Sequence, residues 1–522
     1  MKFLFFLLLA AVDAAKILVF SPTITKSHMN LHARIADALA TDEHEVTLMD
    51  VEYLINPDAF NYVEKAKRKV FRLPETQKIR RPNMKKILQS AFRDSTFLDH
   101  FAFIRNYERL FQSLCEIHLD RDEVLEFLRV NHFDYVITEH VDLCGSALSY
   151  AAGLKTHVLV STCPIFEHTA GLLGLESSTA FVPSFTPGIA LTQSLWSRLK
   201  NFVGWLISYR GLQYGSDLLT DIFRAKFGSK FPHVDEIVSE STALTLVNAD
   251  EFLDFPRPIL HDIFYIGTLG YKSQNLPLEI QKDTIFFSLG SVTTTRDLPP
   301  SFLVNLIAAA RQFSTYEFLI KVDDEHTFKN ETNVKFVSWT QQSRLLASPR
   351  LKLFITHGGQ NSIIEAAYSG TPLILLPFFV DQHRNAAAVE RNGWGRIFEK
   401  RLLLDGANKL VEMIRELLDN PRFAQNAARL SRILKKRPQS AEQKLHDAFH
   451  LLSLANGTLK ELNSDSRRLN VVQRNSWDIL IALVTISVLV IQTTVFLLYQ
   501  LSCSLKRKWP RQKYAKLING KR

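Results

Sequence analysis

Leu353-Phe354-Ile355-Thr356-His357-Gly358-Gly359-Gln360-Asn361-Ser362 is a short apolar run that breaks into two glycines and then into residues able to start a helix. A strand that hands over to a helix through glycines lets a bound group approach the backbone closely. The first free N–H groups of such a helix form an anion site. His357 can donate to an oxyanion, and Asn361 and Ser362 add polar groups. Glu365 comes six residues after Gly359. That is roughly 9 Å along a helix at 1.5 Å per residue, beyond a phosphate but within reach of ribose hydroxyls. Taken alone, the stretch is equally a helix cap with an incidental glutamate.

The segments around it carry matching chemistry. Residues 336–342 (FVSWTQQ) end a strand with an aromatic plane, Trp339, and two amides, suited to stacking a base and reading its edge. Residues 372–382 (PLILLPFFVDQ) end another strand with the acid–amide pair Asp381 and Gln382, which can bind sugar hydroxyls. Residues 284–291 (TIFFSLGS) close a strand in a small hydroxyl-bearing glycine turn, another shape that suits phosphate. Base platform, phosphate cradle, ribose carboxylate and sugar clamp follow one another at strand ends, an order that suits a nucleotide-sugar.

Farther out, strands and helices alternate in both halves. The first half offers strand 16–20, helix 29–40 and strand 45–49, then strands 135–138 and 157–160 around helix 144–152. The second offers strand 284–289, helix 301–313, strands 316–321, 334–337 and 352–356, helix 361–369, strand 372–376 and helix 383–392. Short apolar strands between amphipathic helices predict an α/β protein with parallel sheets covered on both faces. Residues 255–277, with prolines at both ends, read as a linker, so two doubly wound domains face a cleft.

The chain has 522 residues, enough for two or three domains. Its 46% apolar and 22% charged residues, with 20 Gly and 19 Pro, exclude collagen-like and disordered classes, and four Cys exclude a disulfide scaffold. Eight Lys or Arg lie in 502–522; without them the formal charge of +10 falls to about +2, so no nucleic-acid partner is expected. Residues 1–15 have the basic start, apolar core and small-residue end of a signal peptide. The apolar stretch 477–501, ahead of the basic tail, reads as a single transmembrane helix that leaves the body luminal and the tail cytosolic. Sequons at Asn330 and Asn456 suit a translocated glycoprotein.

The run from Trp339 to Gln382, with Asp254-Phe255-Pro256-Arg257-Pro258, residues 287–291, Ser27-His28 and the anchored tail, resembles the UDP-glycosyltransferase family. The likeness is to its membrane-anchored UDP-glucuronosyltransferase type, particularly the invertebrate members. The resemblance implies a GT-B fold of two Rossmann-like domains facing a cleft, plus one C-terminal transmembrane helix. The implied layout is an acceptor-binding domain at 16–254, a linker at 255–283, a UDP-sugar domain at 284–470, the anchor at 477–501 and the tail at 502–522. It further implies that Trp339 stacks on uracil, Gln342 helps hold the nucleotide and Glu365 binds ribose. Ser291, His357, Gly359 and Asn361 would hold the diphosphate, Asp381 and Gln382 the transferred sugar, and Arg257 would lie near the donor.

Transfer needs a base to take the acceptor's proton, and a neutral imidazole suits that task. His28, in the loop after the first strand, matches the family's base, although a loop histidine by itself is more often a surface residue. Residues 133–140 (FDYVITEH) form a strand ending in Glu139, the expected carboxylate behind the base; many relatives carry Asp there, and Asp142 is the substitute. The implied reaction is a single displacement with inversion, moving glucuronate or glucose from a UDP-sugar to a small lipophilic acceptor, in the manner of detoxification. No metal site or cofactor is expected. The resemblance places the body in the endoplasmic reticulum ahead of the plasma membrane, and leaves room for a homo-oligomer. Residues 193–209 put Leu195, Leu199, Phe202, Val203 and Leu206 on one helical face, either core-facing or an acceptor lid on the membrane surface. A non-catalytic binder of UDP-sugar or lipophile is the alternative. A dinucleotide oxidoreductase is disfavoured because the first strand leads into SPTITKSHMN and not GxGxxG.

Overall fold

The computed structural model describes residues 14–42, 44–59, 62–75, 91–93, 96–186, 194–271, 277–291, 293–325 and 332–519. The expected leader up to residue 13, Gln193, linker positions 272–276, the sequon at Asn330 and the last three residues lie outside them.

The first sheet holds β1 (Lys16–Pro22), β2 (Glu45–Val51), β3 (Lys67–Phe71), β4 (Tyr135–Glu139), β5 (His157–Ser161), β6 (Thr242–Val247) and β7 (Ile263–Tyr265). Their order is β3-β2-β1-β4-β5-β6-β7, and every neighbouring pair is parallel. The second sheet holds β8 (Thr284–Ser288), β9 (Glu317–Lys321), β10 (Val334–Val337), β11 (Leu351–Thr356), β12 (Leu373–Leu375) and β13 (Gly395–Ile397), in the order β10-β9-β8-β11-β12-β13. Central strands such as β1 and β8 are buried almost throughout, as their unbroken apolar runs require when helices cover both faces. These are the two Rossmann-type sheets of a GT-B fold. In each, the strand order reverses once, between β1 and β4 and between β8 and β11. Ligands in such sheets bind beyond the carboxyl ends of the strands at that switch point.

Eight helices matter to the site and its support. They are α1 (Lys26–Thr41), α2 (Phe97–Leu119), α3 (Cys144–Ala151), α4 (Leu195–Phe227), α5 (Gln360–Ser369), α6 (Asp381–Arg391), α7 (Ala441–Leu454) and α8 (Trp477–Asn519). A disulfide joins Cys115 on α2 to Cys144 on α3, so two of the four cysteines are cross-linked.

Two segments pack differently from their sequence patterns. On α4 the stripe read as either core-facing or an outward lid is not core-facing: Leu195, Leu199 and Leu206 are exposed and Phe202 and Val203 half-buried, while Asn201, Gly204, Trp205, Ser208 and Gly211 are buried. Glycines decide this, because a Cβ at Gly211 would meet Ile104 of α2 at 2.9 Å, so the small-residue face is the one that seats closely. The other segment is α7, which the sequence reading assigns to the C-terminal domain. Its Ala441, Leu445, Ala448, Phe449 and Leu452 join the core of the first sheet beside Ile17, Val19 and Tyr135. Beyond α7, the Thr156 hydroxyl donates to the Gly457 carbonyl at 3.1 Å.

Residues Asp465–Arg522 form a separate unit. Within it, Trp477–Leu505 is a 29-residue stretch of helix whose most apolar 18 residues have mean hydropathy 2.5, long and apolar enough to cross a membrane.

Candidate active site

Each sheet brings its own half of a site to its switch point. In the first sheet the turn after β1 leads into α1, where the Thr25 side chain caps the helix by accepting from the His28 backbone N–H. That cap fixes the first turn, and His28 Nδ1 lies 3.0 Å from Glu139 Oε2 at the end of β4. Glu139 is fully buried and held from two further sides. Thr162 Oγ1 donates to its Oε1 at 2.8 Å, and His32 Nε2 stands 3.3 Å from Oε2. Asp142, the substitute partner, turns elsewhere and accepts from the Cys144 N–H at 3.2 Å.

In the second sheet β11 ends at Thr356, Gly358 takes φ +84°, and Gly359 caps α5. The His357 ring fills the gap between this turn and the one after β8. A Cβ at Gly359 would come within 2.5 Å of it, and one at Gly290 within 2.6 Å. Both positions therefore require glycine for packing as well as for approach to a ligand. Ser291, next to Gly290, is exposed. Gln342 Nε2 donates to Glu365 Oε2 at 2.7 Å, and the Tyr271 hydroxyl donates to Glu365 Oε1 at 3.2 Å. Trp339 is 65% exposed, and the ammonium groups of Lys321 and Lys26 lie 5.0 and 5.8 Å from its ring centre. Lys321 Nζ also donates to the Gly290 carbonyl at 2.8 Å.

The start of α6 completes the set. Val380, immediately before it, has φ +53°, a conformation that a β-branched residue adopts only at a cost. Asp381 then accepts from Asn385 Nδ2 at 2.7 Å, and Asn385 also donates to the Gly358 carbonyl at 3.0 Å, tying α6 to the glycine turn. Gln382 Oε1 accepts from the Phe378 N–H at 2.8 Å, which leaves the amide N–H groups as its remaining donors.

The halves meet. Asn248 of the first domain donates to Asn361 Oδ1 at 3.2 Å and to the Thr162 carbonyl at 2.9 Å. Arg384 of α6 grips Asp254 with Nη2 2.8 Å from each carboxylate oxygen and Nε 3.1 Å from Oδ1, and both side chains are buried.

Charges follow from these contacts. Burial pulls the His28 pKa down, but Glu139's charge and hydrogen bond, with Asp381 beyond, reverse this and leave it above 6.5. Burial works against ionised Glu139 as well, yet His28 and His32 hold its carboxyl well below the usual range. Asp381 is pushed up to about 6 by burial, partly offset by Asn385 and His28. His357 is lowered to about 4 by burial and by Lys321, so near neutrality it is an uncharged donor.

The sequence candidates thus form one band: His28, Glu139, Asp381 and Asn361 converge where the domains meet, and Gln342 with Glu365, His357 with Gly359, and Trp339 line its second-sheet side. Arg257 stands apart, donating to the Ile165 carbonyl at 3.4 Å beside the Arg384–Asp254 pair. Lys26, Lys321, Thr162, Asn248, Tyr271 and Arg384 escaped the sequence reading. Asp254, quoted there with its neighbouring prolines, is the one signal that pointed toward the clamp.

The family described as UDP-glucoronosyl and UDP-glucosyl transferase matches residues 15–508. The chain is 33% identical over 511 residues to the putative UDP-glucuronosyltransferase ugt-48 of Caenorhabditis elegans, covering 94% of this chain and 96% of that one. It is 27% identical to mouse UDP-glucuronosyltransferase 3A2, covering 85% of each. Among solved structures, the glycotransferase of kitacinnamycin aligns with TM-score 0.57 at 16% identity, covering 84% of this chain and 98% of that one. The spinosyn rhamnosyltransferase SpnG, complexed with thymidine diphosphate, aligns with TM-score 0.53 at 16% identity, covering 83% and 99%.

Proposed function

The chain belongs to the UDP-glucuronosyl and UDP-glucosyl transferase family, and from that premise we propose that it moves a hexosyl group, glucuronate or glucose, from a UDP-sugar to a small lipophilic acceptor. The observation that most directly supports this reading is His28 Nδ1 at 3.0 Å from the buried Glu139 carboxylate. With Nδ1–H donating to Glu139, Nε2 carries the lone pair that removes the acceptor's proton. The acceptor oxygen forms its bond to the anomeric carbon as the bond to UDP breaks, and that electron pair leaves with the diphosphate. Inversion follows from the single displacement. Glu139, with Asp381 nearby, stabilises the imidazolium. The α5 N-terminus and the neutral His357 donate to the departing diphosphate. Trp339 takes uracil, Gln342 and Glu365 the ribose side, Ser291, Gly359 and Asn361 the phosphates, and Asp381 with Gln382 the sugar.

In this reading the body is luminal, in the endoplasmic reticulum, anchored by α8. The Cys115–Cys144 disulfide suits an oxidising compartment. Incubating membranes that contain the protein with labelled UDP-glucuronate or UDP-glucose and a panel of phenols and steroids tests the function. Labelled conjugate is the expected result, and UDP-sugar binding without transfer to any acceptor would leave only a binding protein.

Two further results are expected. Because His28 must be neutral to act and its pKa lies above 6.5, kcat/KM rises with pH along a limb set by that raised value. Glu139→Gln removes the charge that retains the proton, so the limb moves to lower pH. Rate at the plateau falls by about 10–100-fold, because the amide oxygen can still accept from Nδ1–H. An unmoved limb would detach Glu139 from the base. Trp339→Ala weakens UDP binding, read by calorimetry, by roughly 1–3 kcal/mol, the scale of base–aromatic stacking.

A further inference from the structure

Beyond the end of β4 a cavity of about 20 Å³ is lined by Glu108, His140, Asp142, Phe166, His168 and Gly215. A space of that size takes one water-sized group. Two carboxyls, Asp142 and Glu108, stand in its wall. Asp142 is 2% exposed, and its Oδ2 has no hydrogen-bond partner among the described residues. The Tyr53 hydroxyl faces this carboxyl and acts on it as a neutral polar neighbour, lowering its pKa without supplying charge. The Glu108 carboxylate lies over Gly215 of α4, where an added Cβ would run into it, so this glycine makes its room. His168 is already paired with Asp235 at 3.0 Å, and His140 Nδ1 lies 3.2 Å from the Thr169 hydroxyl. Among the described residues, no Lys or Arg lines the cavity.

Two carboxyls without a countercharge, Asp142 buried and Glu108 partly buried, are costly as anions. Burial, with Glu139's charge added, pushes Asp142 up to about 7, and burial with Asp142's charge carries Glu108 well above its ordinary range. The cavity is close to the reacting groups: Asp142 is three residues beyond Glu139, and His140 between them feels the charge of His28. Resting on the transferase reading above, the geometry points to acceptors that carry a protonated amine. The ammonium enters this cavity between Asp142 and Glu108 while the nucleophilic oxygen stays at His28. An ammonium has the size of a water, brings three donors, and supplies the missing positive charge.

The test uses the full-length protein in membranes or detergent, with para-substituted phenols bearing an ω-aminoalkyl arm of one to four methylenes. Each is paired with the alkyl phenol in which methyl replaces ammonium. At least one arm length is expected to give the amine at least a tenfold advantage in kcat/KM over its isostere, and in affinity by calorimetry with UDP present. Asp142→Asn and Glu108→Gln should each bring that ratio to within about threefold of unity, while cooperative urea unfolding at the native midpoint reports an intact first domain. Equal or better use of the alkyl phenols at every arm length, or an advantage that survives both substitutions, overturns the inference and leaves the transferase reading standing. If nothing is transferred at all, the transferase reading fails, and the calorimetric ratio still decides whether the cavity prefers the amine.

Discussion

His28→Ala is expected to lower kcat by about 10³–10⁴-fold, the upper part of the range for loss of a positioned general base. UDP affinity should stay near the native value, because Trp339, Gln342, Glu365 and the α5 turn belong to the other sheet. The fold should survive. Glu139 keeps the Thr162 hydroxyl at 2.8 Å and His32 at 3.3 Å, so the substitution does not strand a bare carboxylate. The low native pH limb should disappear from what activity remains. Single-turnover measurements with saturating donor separate the chemical step from product release. A loss below tenfold would remove the imidazole from the proton transfer.

The second large effect concerns stability. Arg384→Ala deletes three hydrogen bonds to Asp254 and leaves a carboxylate that is about 4% exposed without its cation. Breaking one side of a buried pair costs about 3–5 kcal/mol. The Arg384 guanidinium also lies 5.0 Å from the centre of the Phe185 ring, and the substitution bares that ring face as well. Urea unfolding should register the combined cost, and removing both partners in an Asp254→Leu, Arg384→Met double variant should recover much of it. A single-variant cost below 1 kcal/mol would mean the pair does not hold α6. Since α6 begins at Asp381, the single variant should also raise KM for the donor.

Much of this was legible in the sequence, for identifiable reasons. The central strands of both sheets are unbroken apolar runs ending at glycine or hydroxyl turns, and chemistry at the ends of parallel strands converges by topology. Topology put the loop after β1 and the end of β4 at the cleft, and the family resemblance then singled out His28 there, with Glu139 as the carboxylate a base requires. Some of the missed elements break the same rules, although β6 (TALTLV) and the short β7 and β13 are ordinary strands that also went unread. β3 reads KRKVF, its lysines and arginine those of an edge strand guarded against pairing, so no apolar alternation marks it. The inner face of α4 is written in Gly, Ser and Asn, which periodicity scores as polar although close packing buries them. The contacts between domains, Arg384–Asp254 and Asn248–Asn361, join residues more than a hundred positions apart, and no local pattern encodes them.

The docking of α7 imposes an order on biosynthesis. Ile17, Val19 and Tyr135 leave the ribosome early, but their covering residues at 441–452 follow β7 by about 170 positions. At roughly 5–20 residues per second, that apolar surface stays bare for about ten to thirty seconds, an interval in which chaperones would find it. A nascent chain stalled before residue 441 should therefore stay protease-sensitive across β1 and β4, and release past residue 459 should bring protection to both halves together.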